Sequence, residues 1–133
     1  MSALCLASGG LLSSLAATLF TLQWTHSVER IAWQEDWRID GDALVLVEAR
    51  IRGSGAGMDP PDGAVLRDGV WHYRVARRVQ RLLLSSGGSQ PEYRLCAAGE
   101  CRPLTDWIGG TAADGRIALY PCVPPGVTDA PSR

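Results

Sequence analysis

At 133 residues the chain suits one domain, and folding would remove roughly two-thirds of its unfolded surface from water. A hydrophobic fraction of 46 %, a charged fraction of 20 % and a formal net charge of −1 suit a soluble globular fold. They give no electrostatic ground for a nucleic acid or an anionic membrane as partner.

Ala3 to Phe20 carries no charge, yet it lacks the basic residues of an export signal, the first positive side chain being Arg30. Gly9-Gly10 and Ser13-Ser14 interrupt it, so LCLAS, a glycine turn and LLSSLA read as a β-hairpin. FTLQWTH then alternates, with Phe20, Leu22, Trp24 and His26 on one face and Thr21, Gln23 and Thr25 on the other. WQEDWRI repeats the pattern: Trp33, Glu35, Trp37 and Ile39 point inward, and Gln34, Asp36 and Arg38 outward. Strict alternation in ALVLVEARIR puts Ala43, Val45, Val47, Ala49 and Ile51 on one face, and Leu44, Leu46, Glu48, Arg50 and Arg52 on the other.

GSGAGMDPPDG, from Gly53 to Gly63, is the long irregular loop. AVLRDGVWHY turns back on itself at Asp68-Gly69, and VQRLLL reads as one further strand. YRLCAAGECRPL is a second hairpin, TDWIGG one helical turn capped by Thr105, and RIALYPC a closing strand. From Val123 onward the chain is proline-rich and poor in apolar groups, which predicts a disordered tail over 123–133 behind a single β domain over 1–122. Many short strands with glycine turns and no long helical period predict an all-β fold, a compact antiparallel sandwich or a small, partly open barrel.

Four cysteines allow three pairings. The AAGE turn sets Cys96 opposite Cys101, within bridging distance, which leaves Cys5 and Cys122 to join the first strand to the last. A four-cysteine metal site fits less well, since the two-residue knuckle spacing is absent. Two disulfides imply an oxidising compartment, whereas the missing export signal points to the cytoplasm, and the two clues conflict.

The stretch WTHSVERIAWQEDWRID draws attention because parity puts His26 and Glu35 among Trp24, Trp33 and Trp37. A carboxylate desolvated by tryptophans has its pKa raised, and an imidazolium beside it opposes that shift. Such a pair can be a satisfied core interaction, a ligand contact, or an acid and base; the first reading carries most weight and catalysis least. Ser27 neighbours His26 in sequence, but adjacent strand residues face opposite ways. Glu29 and Arg30, in the connecting turn, are expected at the mouth of the same region. His26, Glu29 and Glu35 match no metal-ligand spacing, so neither metal nor cofactor is expected. Gly53, Gly55 and Gly57 resemble a phosphate cradle in glycine content only, without the lysine and helix such a loop needs.

The order of WTHSVERIAWQEDW, LVLVEARIRGSGAGMDPPDGAVLRDG and YRLCAAGECRPL resembles the domain-of-unknown-function family numbered 1850, over nearly all of Cys5 to Cys122. The resemblance implies a small β-rich protein without an established activity, often encoded beside tripartite ATP-independent periplasmic (TRAP) transporter genes of the TAXI type. It also implies an extracytoplasmic setting, from which this chain departs because its first strand begins almost at Met1. The family's motif falls on Trp24 to Arg30 and on Gly53, Gly55 and Gly57, with no catalytic role attached. The expected role is therefore non-enzymatic. It is an accessory or ligand-binding domain, with a transporter permease or a small organic ligand as partner and a mouth built from His26, Ser27, Glu29, Arg30, Glu35 and the glycine loop. The rival is a small hydrolase or metal-dependent enzyme using His26 with Glu35 or Glu29.

Overall fold

A computed structural model describes residues 3–25, 32–52, 63–74, 77–86 and 92–123. The tail predicted over 123–133 lies outside them, apart from Val123. The strands are β1 (Ala3–Ser8), β2 (Leu11–Leu15), β3 (Leu19–Thr25), β4 (Ala32–Asp40), β5 (Ala43–Arg52), β6 (Val65–Arg67), β7 (Val70–Tyr73), β8 (Arg78–Val79), β9 (Leu82–Ser85), β10 (Arg94–Ala97), β11 (Glu100–Pro103) and β12 (Arg116–Cys122), with one helix, α1 (Leu104–Ile108). They form two antiparallel sheets: a smaller one in the order β2-β1-β12-β9, and a larger one in the order β11-β10-β3-β4-β5-β7-β6 with β8 also paired to β5. The sheets do not close on each other, so the fold is the sandwich and not the barrel.

The core lies between them. Leu4 and Leu6 of β1, Leu82 of β9, and Ile117 and Leu119 of β12 face Phe20, Leu22, Trp37, Ile39, Leu44, Leu46 and Leu95 of the larger sheet. Leu104 and Ile108 of α1 pack into the same cluster. Trp37, with no accessible surface, is the largest fully buried side chain.

Turn chemistry follows the sequence closely. Gly9 opens the β1–β2 hairpin at φ 59°, and Asp68-Gly69 turns β6 into β7 with φ 52° and 78°. The cysteine hairpin turns at Ala98-Gly99, with Cys96 directly opposite Cys101. Both expected disulfides are formed, Cys96–Cys101 and Cys5–Cys122, the latter joining neighbouring strands β1 and β12.

Three local expectations are corrected. The register of β4 against β5 slips between Asp36 and Trp37, so that Asp36 opposes Glu48 while Trp37 opposes Leu46. Val47 is the extra residue of a β-bulge, and the bulge reverses the parity of the strand. Leu44 and Leu46 therefore share the core face with Ala49 and Ile51, while Val47 is 40 % exposed. VQRLLL is not one strand. It bends at Gln80, so that β8 pairs with β5 in the larger sheet and β9 with β12 in the smaller, and the chain crosses between layers. Finally, Thr105 lies inside α1 and does not cap it: Pro103 holds the N-cap position with no side-chain hydrogen bond. Proline's missing N–H is no loss at a helix entry, where that donor has no partner.

Ser8 ties the end of β1 to the start of β12 and to the loop before it. Its hydroxyl donates to the Arg116 carbonyl and accepts from the Ala112 N–H, each at 2.7 Å.

Candidate functional site

Cross-strand pairing sorts the larger sheet into rows. Leu22 opposes Glu35, which opposes Ala49, which opposes Tyr73; one row further, Trp24 opposes Trp33, which opposes Ile51 and then Trp71. Glu35 thus stands on the core-facing side of β4, as parity required, in a row otherwise built from apolar or aromatic side chains. Trp24 and Trp33 stack with ring centroids 5.9 Å apart and planes within 7°. Tyr93, just before β10, closes on Trp24 at 5.4 Å. Trp24, Trp33 and Glu35 are only half-buried, because this end of the face lies at a mouth between the two layers.

That mouth holds a cavity of about 410 Å³, walled by Leu22, Trp24, Tyr93 and the start of β9, with Glu35, Arg77 and Arg81 as its charged groups. Trp37 donates its indole N–H to the Glu35 carboxylate at 3.1 Å. Burial pushes the Glu35 pKa above the ordinary glutamate value, while the Trp37 hydrogen bond and the Arg77 charge oppose that shift without cancelling it. The carboxylate in turn adds to the effect of burial on Tyr73 and Tyr93, both raised. Arg77 also lies over the Trp37 ring at 5.8 Å and Arg81 over Tyr120 at 5.3 Å, so both guanidiniums are steered by aromatic faces. The arrangement offers an acceptor that is readily protonated, two cationic donors and an aromatic wall.

The opposite face of the same sheet is polar. Arg50 donates to both oxygens of Asp36 (2.6 and 2.8 Å), to Glu48 (3.0 Å) and to Gln34 (3.0 Å). Thr21 donates to Asp36 at 2.7 Å, and His72 Nδ1 meets Glu48 at 3.1 Å. Arg50 holds the Asp36 carboxyl below the usual carboxylate range, with burial opposing and Thr21 assisting. His72, and after it Arg50, does the same for Glu48.

Of the residues expected from sequence to build the mouth, Glu35 is the one the structure describes. His26, Ser27, Glu29, Arg30, Gly53, Gly55 and Gly57 lie outside the described residues. Arg77, Arg81, Tyr73 and Tyr93 were not foreseen. Tyr93 shares parity with Leu95 and could have been placed inward by the same alternation, whereas nothing in VARRVQR marks which arginine faces the mouth. Among the described residues no group of three or more His, Cys, Asp or Glu is placed to hold a metal ion, and no helix is long and apolar enough to cross a membrane.

Fold and site together define a disulfide-stapled, two-layer antiparallel β-sandwich with a charged, aromatic-lined mouth at one end of its core. The chain belongs to the family described as a domain of unknown function, DUF1850, whose model matches residues 20–104. That span runs from β3 to the first residue of α1, and so takes in the larger sheet with Glu35, Arg77, Arg81 and Tyr93. No curated protein and no solved structure matches the chain.

Proposed function

We propose that the chain is a non-enzymatic ligand-binding domain that takes a small organic acid at the Glu35 mouth, and that it serves as an accessory to a TRAP-type secondary transporter. The observation that carries the binding reading is the company of Glu35: a half-buried carboxylate of raised pKa shares one cavity with Arg77, Arg81, Trp24 and Tyr93. Two guanidiniums suit a ligand carboxylate, and Glu35 suits a hydroxyl or ammonium donor on the same small molecule. Trp24 and Tyr93 supply apolar contact with little loss of side-chain freedom. The transporter association is supported by the sequence resemblance alone.

Trp24 makes binding directly observable. Titrating the purified protein with a panel of hydroxy, amino and keto acids should give a saturable change in tryptophan fluorescence, abolished in Arg77→Ala. A panel that leaves the fluorescence unchanged, with amide shifts also unmoved at β3 and β4, overturns the reading. Tagging the protein in its native host, crosslinking gently and identifying what co-purifies from the membrane fraction tests the partner. A permease should be recovered, and its absence from repeated preparations removes the transporter role.

A further inference from the structure

On the solvent face of the larger sheet, one row reads Ala32–Arg52–Val70–Arg67 across β4, β5, β7 and β6. The next row reads Gln34–Arg50–His72–Val65. Short side chains alternate with long ones, so Ala32 and Val70 form the floor of a depression between arginine walls. Its volume is about 410 Å³.

The charged groups facing it differ in how far they are committed. Arg50 is held by Asp36, Glu48 and Gln34, and is fixed as a strut. An ionised Glu48 can only accept, so His72 bonds it through a protonated Nδ1, and Nε2 remains the ring's other polar atom. Among the described residues neither Arg52 nor Arg67 has a carboxylate within 4.0 Å, although Asp68 also lines the depression. Arg52 and Arg67 sit on strands separated only by β7, roughly 10 Å apart, a span that two arginine side chains close easily. Both are exposed, so neither is needed by the core.

We propose that this depression is an oxyanion site, in which the guanidiniums of Arg52 and Arg67 hold the phosphate or carboxylate group of a small ligand above Val70, beside His72. It lies across the sheet from Glu35 and does not depend on the mouth binding anything. Guanidinium forks match planar or tetrahedral oxyanions bidentately, and the Arg50 network keeps Asp36 and Glu48 from competing for them.

The test is a titration of the full chain with inorganic phosphate and, separately, with succinate, at fixed ionic strength, reading amide shifts at Val70 and His72. Saturable binding by at least one probe is expected, weakened at least about tenfold by Arg67→Ala or Arg52→Ala. Phosphate alone, or succinate alone, would assign the site to that anion. Absence of saturable binding by both probes to about 1 mM affinity, or binding that survives the Arg52→Ala, Arg67→Ala double variant, overturns the proposal. Because both arginines are exposed, an unchanged melting temperature in the variants verifies that any loss is local.

Discussion

Trp37 and Glu35, two residues apart on one strand, are joined side chain to side chain, the indole N–H donating to the carboxylate at 3.1 Å. The buried tryptophan thereby holds in place an acid that its own bulk helps to desolvate. A carboxylate in such a setting is a cost when ionised, and the sign of its effect on stability follows from that.

The folded-state pKa of Glu35 is raised, so the folded protein keeps this proton more tightly than the unfolded chain does. Its contribution to stability is complete below the ordinary value of 4.5 and is lost as pH rises through the folded-state value. Glu35→Gln keeps the acceptor for Trp37 and removes the charge. The variant should melt higher than the wild type at pH 7, with the gap closing as pH falls below the ordinary glutamate range. Thermal melts across that interval measure it, and a variant that melts lower at neutral pH would show Glu35 to be stabilised in its ionised form.

Asp36 and Glu48 behave in the opposite sense. Their folded-state pKa values are lowered, so their contribution is present above the ordinary carboxylate values and lost as pH falls through the lowered ones. Arg50→Ala should cost about 1–2 kcal/mol at pH 7, since it strips partners from two partly exposed carboxylates at once. The penalty should shrink in strong acid. Urea denaturation at the two pH values reads both numbers.

The bulge makes a prediction that a straight strand does not. Val47 faces solvent, so Val47→Lys should change stability by under about 0.5 kcal/mol. Leu46→Ala, on the core face beside Trp37, should cost about 2–5 kcal/mol. Chemical denaturation of the two variants separates the alternatives, because unbroken alternation would put Val47 on the face of Ala49 and Ile51 and reverse the order of the effects.

The two disulfides should differ greatly in what they contribute. Cys5–Cys122 closes a loop with a sequence separation of 117, and Cys96–Cys101 one of only 5. Loop-closure entropy gives about 5 kcal/mol for the first and about 2 kcal/mol for the second. Replacing each pair by serines and comparing denaturation midpoints tests the ratio; equal losses would mean that something other than the entropy of the open chain governs the stabilisation.

Much of this was legible in the residues, for local reasons. Strand alternation placed Glu35 with Trp24, Trp33 and Trp37, because a pleated strand sends successive side chains to opposite faces whatever it pairs with. Glycine and aspartate marked the turns at Gly9, Asp68-Gly69 and Gly99, since positive φ angles admit few residues. The spacing of Cys96 and Cys101 carried its own pairing. Other features depended on what lay across the sheet. Val47 became a bulge because β5 must match β4 on both sides of the slip, and no property of ALVLVEARIR alone reports that demand. The bend at Gln80 divides one apolar run between two sheets because each half finds a different neighbour, Leu44 for Val79 and Leu119 for Leu82. Arg77 and Arg81 meet Glu35 only because that crossing delivers them to the mouth, and Tyr93 reaches it because β10 pairs with β3; contacts between residues far apart in the chain are decided by packing, which no local pattern records.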